Sequence, residues 1–102
     1  MTIHDRIAKI ISDHPVVLFM KGTADEPQCG FSAQVVNVLN SHGTNFQHVN
    51  VLAEDELREG IKAYTNWPTI PQLYVNGEFI GGCDIVMQLE RSGELKVVLE
   101  QS

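Results

Sequence analysis

The chain has 102 residues, 43% of them hydrophobic, and a formal net charge of −6. That size and apolar content suit one folded domain over residues 1–102, with enough core to need no metal or disulfide staple. The negative charge argues against nucleic acid and anionic membranes as partners, and no apolar run approaches the roughly 18 residues of a bilayer span.

Ile3, Ile7, Ile10 and Ile11 recur at helical spacing. Pro15 ends that helix by disfavouring helical backbone at the residue before it. PVVLFM, β-branched and aromatic, reads as a buried strand, and the polar loop KGTADEPQ follows it. Phe31, Val35, Val38 and Leu39 predict a second helix, terminated by Gly43. FQHVNV at 46–51 predicts a second strand, parallel to the first through a right-handed crossover. Glu54, Asp55 and Glu56 load the first turn of a third helix with favourable negative charge. Its apolar stripe is Leu57, Ile61 and Tyr64, and Gly60 is its weak point.

After the turn-rich NWPTIP, Asn76-Gly77 between two short apolar runs signals a two-residue hairpin. It sets Tyr74 opposite Phe79 on one face and Leu73 opposite Ile80 on the other. Both faces are apolar, so helices cover both sides of the sheet. DIVMQLERSGELKVVLE supplies two closing helices, broken at Ser92-Gly93. The expected fold is α/β: a mixed four-stranded sheet with helices on both faces, in the thioredoxin-like arrangement. The first residues, MTIHDRIAKI, lack the basic flank and apolar block of a secretory signal. A cytoplasmic location is the simplest inference, with an organelle matrix the alternative if a presequence has been removed.

Three stretches carry chemistry. Cys29 stands at a helix start, where unpaired N–H groups and the helix dipole favour thiolate over thiol, and Lys21 can add a cation. Thr69-Ile70-Pro71 precedes the hairpin; a cis Ile70-Pro71 bond would free backbone groups for an extended peptide, while the base rate favours a trans turn proline. Gly81-Gly82-Cys83-Asp84 lies between a strand and a helix, as either a carboxylate site or a plain helix cap. Two cysteines are too few for a disulfide framework or a four-thiolate metal site. His4, His14, His42 and His48 lack metal-ligand spacing and read as surface or structural residues.

Taken together, K-G at Lys21-Gly22, C-G-F-S at Cys29–Ser32, W-P-T-I-P at Trp67–Pro71 and G-G-C-D at Gly81–Asp84 resemble a monothiol glutaredoxin of the CGFS type. The resemblance covers essentially the whole chain. It implies a glutathione site built from Lys21, Cys29, Phe31, Arg58, Thr69, Ile70, Pro71, Gly82, Cys83 and Asp84. Lys21 and Arg58 would hold the glycine carboxylate, and Ile70 would offer backbone groups to the cysteine moiety. The Cys83 and Asp84 N–H groups would take the γ-glutamyl carboxylate, and the Asp84 side chain would face the amine.

Ser32 cannot resolve a mixed disulfide, so a second thiol must come from outside, and glutathione carries one. The TADEP loop, and Phe31 where dithiol relatives have tyrosine, resemble the subfamily that binds a 2Fe–2S cluster between two protomers. Cys29 as metal ligand and one glutathione thiolate per protomer would supply four ligands. The implied role is cluster assembly or transfer by a homodimer, with apo iron–sulfur proteins and a BolA-type protein as partners. The alternative is a glutathione-dependent oxidoreductase using Cys29 alone, and an oxidised Cys29–Cys83 pair stays open.

Overall fold

The computed structural model describes residues 1–101. In chain order the elements are α1 (Ile3–Asp13), β1 (Val16–Met20), α2 (Gly30–Ser41), β2 (Gln47–Asn50), α3 (Asp55–Thr65), β3 (Gln72–Val75), β4 (Glu78–Gly81), α4 (Cys83–Ser92) and α5 (Glu94–Glu100). The strands form one sheet in the order β2-β1-β3-β4. β1 is parallel to β2 and antiparallel to β3, and β3 pairs antiparallel with β4. This is the expected mixed sheet.

β1 reads as an unbroken apolar run because both of its faces are covered. Val16, Leu18 and Met20 join the core built with α2, α4 and α5, while Val17 and Phe19 face α1 and α3. Burying each of these larger side chains contributes roughly 1.5–3 kcal/mol. α1 starts at Thr2, whose hydroxyl accepts the Asp5 N–H while the Asp5 carboxylate accepts the Thr2 N–H.

Three local expectations change. Tyr74 does pair with Phe79, but Leu73 lies opposite Gly81 and not Ile80, because the register shifts between Leu73 and Tyr74. The shift brings Gly81 against α4, where a Cβ would stand 2.5 Å from the Ile85 Cβ. Strict alternation cannot report such a bulge. Gly60 is a contact point and not a weakness: a Cβ there would come within 2.8 Å of Ile3 Cγ1, so glycine lets α1 lie close to α3. Glu54 is the N-cap of α3 and lies outside its first turn. Its carboxylate meets the Arg6 guanidinium through two hydrogen bonds of 2.6 and 2.7 Å, tying α1 to the start of α3. Hydrogen bonding to Arg6 holds Glu54 below the usual carboxylate range.

Candidate functional site

The end of β1, the start of α2, the helix α3, the 66–71 loop and the start of α4 enclose a cleft of about 500 Å³. All ten residues singled out from sequence line it: Lys21, Cys29, Phe31, Arg58, Thr69, Ile70, Pro71, Gly82, Cys83 and Asp84. Lys62, Trp67, Pro68 and Ile85 complete the wall. Lys62 was not singled out from sequence, although its place one helical turn from Arg58 on the same face of α3 is a signal that would have found it. Ile85 carried no such signal.

Cys29 is the N-cap of α2, with extended backbone, and as a neutral thiol it makes no capping hydrogen bond. As a thiolate it is stabilised first by the Ser32 N–H, then by the Phe31 N–H, the Lys21 charge and the Ser32 hydroxyl. Together these outweigh partial burial and draw its pKa below the ordinary thiol value. A depressed acid stabilises the fold above its unfolded pKa, and that contribution is lost as pH falls through the lower folded value. Cys83 is pushed the other way, by burial first and then by the Asp84 and Cys29 charges. Its thiol lies within 3.5 Å of the Gln34 side-chain oxygen. Alkylation of Cys83→Ser, which retains Cys29, should therefore show a titration midpoint below that of a free thiol. Cys29→Ser, which retains Cys83, should react more slowly and titrate higher. Equal rates with unshifted midpoints would remove the assignment.

Ser32 does more than lack a thiol. It is fully buried, and its hydroxyl accepts the Lys21 N–H at 3.2 Å, joining the end of β1 to the first turn of α2. The 21–28 loop is closed on itself by Gln28 N–H to Lys21 C=O at 2.9 Å and Thr23 N–H to Glu26 C=O at 3.2 Å. The Asn50 side-chain oxygen accepts both the Gly22 and the Leu52 N–H, each at 2.9 Å, fastening this loop to the end of β2. Gly22 has φ of +91°, and a Cβ there would meet the Glu26 carbonyl oxygen at 2.5 Å, so only glycine closes the loop in this shape. Lys21 is thus delivered to the cleft on a braced segment.

On the opposite wall, the Arg58 Nε is buried without a hydrogen-bond partner. Ile70 makes no backbone–backbone hydrogen bond among the described residues. The Ile70-Pro71 bond is cis, against the base rate that favoured a trans turn. At the third wall, Gly82 is the N-cap of α4, which leaves the Cys83 and Asp84 N–H groups in an open first turn. Gly82 packs under Trp67, its hypothetical Cβ lying 3.2 Å from the indole nitrogen. The histidines lie elsewhere: His42 caps α2 and contacts the Glu90 carboxylate at 2.8 Å, and His4 packs on the Tyr64 ring. Among the described residues no three His, Cys, Asp or Glu side chains gather in a group able to hold a metal ion.

Residues 16–80 match the glutaredoxin family. An uncharacterized, ycf64-like monothiol glutaredoxin of Synechocystis sp. is 55% identical over 95 residues, which is 93% of this chain and 89% of that protein. The chain belongs to the monothiol glutaredoxins. A further member of the family, from Oryza sativa subsp. japonica, is 54% identical over 98% of this chain, but the chain spans only 20% of that protein's length. Matching relatives are also named as chloroplastic, from Oryza sativa, and mitochondrial, from Lachancea kluyveri. Among the described residues no helix is long and apolar enough to cross a membrane. Solved structures of similar fold include a buckwheat glutaredoxin–glutathione complex, with TM-score 0.86, 25% identity, and coverage of 97% of this chain and 88% of that one. A reduced apo glutaredoxin of poplar has TM-score 0.84 and 52% identity, with 95% of this chain and 89% of that one covered.

Proposed function

We propose that this glutaredoxin binds glutathione in the cleft and, paired with a second copy, carries a 2Fe–2S cluster as cargo. Each copy contributes Cys29, and each bound glutathione contributes its thiol. The observation that carries this reading is the pairing of Cys29 with Ser32. A thiol poised to ionise stands at the cleft, and the position where a resolving thiol would sit holds a buried hydroxyl engaged with the Lys21 N–H. Cys83, the other thiol on the cleft, is held toward its protonated form, so a second thiolate is best supplied from outside.

The cleft suits glutathione, an extended γ-linked tripeptide with two carboxylates, an amine and a thiol. The unpartnered Arg58 Nε, with Lys21 and Lys62 on the same cleft, fits one carboxylate. The open first turn of α4 fits the other, and the Asp84 carboxylate the amine. The free backbone of Ile70 suits pairing with the ligand's own peptide groups. The likeness to a glutaredoxin solved with glutathione supports the same assignment.

The cluster also fits. One chain offers a single thiol of lowered pKa at the cleft, Cys83 being held toward its protonated form, so two chains and two glutathiones would supply the four thiolates. Phe31, 59% exposed, and the partly exposed Trp67 and Ile85 give the cleft an apolar rim of the kind a second protomer would cover. Half of the ligand set would be exchangeable small molecules, which suits delivery to apo iron–sulfur proteins, with or without a BolA-type partner, in cytoplasm or organelle matrix. Anaerobic reconstitution with iron and inorganic sulfide, with and without glutathione, tests this by visible spectra and size-exclusion chromatography. A coloured dimer should form with glutathione and fail to form without it. Full loading with no added thiol would overturn the proposal.

The lowered pKa of Cys29 favours a second activity at the same site. The Cys29 thiolate would attack the glutathione sulfur of a protein–glutathione mixed disulfide, releasing the protein thiolate. A second glutathione thiolate would then attack the Cys29–glutathione disulfide, yielding glutathione disulfide and regenerating Cys29.

A further inference from the structure

The 67–71 wall of the cleft has two prolines in five residues, so it is poor in backbone donors. Two of its carbonyls nonetheless find partners, and a single side chain supplies both. Gln72 is fully buried. Its amide nitrogen donates to the Trp67 carbonyl at 3.1 Å and to the Thr69 carbonyl at 3.2 Å. An amide nitrogen has two hydrogens, and both are spent on this loop. On the other end, the Gln72 oxygen accepts the Tyr74 hydroxyl across a long 3.3 Å contact. Reversing the amide would set its oxygen against two carbonyl oxygens, so the partners assign the orientation. Burial pushes the Tyr74 hydroxyl up and keeps it protonated, hence a donor.

Gln72 does not itself line the cleft, and a side chain of similar volume without polar atoms would pack as well against the neighbouring strand. What it would lose is the hold on two carbonyls of the loop that carries Trp67, Thr69, Ile70 and Pro71 to the cleft. Among the described residues the other hydrogen bonds of Trp67 are from its own N–H, to the Lys62 carbonyl and the Thr65 hydroxyl, both at 3.2 Å.

We propose that Gln72, oriented by Tyr74, is a positioning residue that holds the Trp67–Pro71 loop in the shape that glutathione binding requires. The role as a glutathione wall rests on the function proposed above; the hold on the loop does not. Trp67 is the sole tryptophan of the chain, so its fluorescence reports this loop alone.

The test compares wild type, Gln72→Met and Tyr74→Phe by Trp67 emission, acrylamide quenching, thermal unfolding and binding of reduced glutathione. Gln72→Met should stay folded, expose Trp67 to quencher with a red-shifted emission, and bind glutathione roughly tenfold to a hundredfold more weakly, as expected for a displaced binding wall. Tyr74→Phe should move both readouts the same way by a smaller factor. If Gln72→Met does not fold, Tyr74→Phe decides by itself. Unchanged Trp67 emission and unchanged affinity in a folded variant would overturn the proposal. Loss of stability with Trp67 and affinity unmoved would make Gln72 merely structural and overturn it equally. If wild type binds no glutathione, the proposed function fails, while the Trp67 readouts still judge the hold on the loop.

Discussion

Cys29→Ser should purify folded, colourless and monomeric, and reconstitution with iron, sulfide and glutathione should leave it so. The substitution exchanges the N-cap thiol for a hydroxyl, itself a good N-cap, so α2 should be at least as stable as before. What disappears is the only ionisable sulfur that α2 presents to the cleft. A serine hydroxyl stays protonated at neutral pH and cannot replace a thiolate on iron. The loss should be complete, and any monothiol exchange activity should vanish with it. Cys83→Ser should still load a cluster, perturbed only through its place on the wall, because its thiol is buried and held toward its protonated form. Visible spectra and size-exclusion chromatography on the two variants, side by side, check both halves. A coloured dimer of Cys29→Ser would overturn the ligand assignment.

Arg58→Ala should bind glutathione about ten to a hundred times more weakly than wild type while melting at nearly the same temperature. A charge-assisted hydrogen bond to a carboxylate is worth about 1.5–3 kcal/mol, one to two powers of ten in affinity. The fold should tolerate the change because Arg58 takes part in no ion pair among the described residues and its Nε is already without a partner. Removing it relieves a buried donor in the free protein and deprives only the ligand. Arg58→Lys should not restore binding fully, since an ammonium cannot present the planar fork. Lys21→Ala should also weaken binding and should leave the loop intact, because its backbone, not its charge, makes the contact to Ser32. Glutathione titrations followed by calorimetry, with parallel thermal melts, measure both quantities. Wild-type affinity in Arg58→Ala would remove that residue from the site.

The sequence alone determined the element order, the parallel and antiparallel halves of the sheet and the helices on both faces. These rest on local chemistry: the spacing of Ile3, Ile7 and Ile11, the double-faced run from Val16 to Met20, and the Asn76-Gly77 turn. Local chemistry also pointed to Cys29 at a helix start, Ile70-Pro71 before the hairpin and Gly82–Asp84 before a helix, while the full set of ten cleft residues, Arg58 above all, came from the resemblance to monothiol glutaredoxins. Tertiary structure decided what depends on partners distant in sequence. Gly60 reads as a helix defect until Ile3 is seen against it, and Glu54 as a first-turn acid until Arg6 meets it. The hairpin bulge at Leu73–Tyr74 accompanies the close approach of Gly81 to α4, which no two-residue period encodes. Ser32 was read only as a missing thiol, and Asn50 not at all, because the N–H groups they accept belong to the Lys21–Gly22 corner, 11 and 28 positions away along the chain. Gln72 stood in an apolar strand with nothing local to explain it. Its reason is two carbonyls of a proline-bound loop, Trp67 and Thr69, which accept both hydrogens of its buried amide.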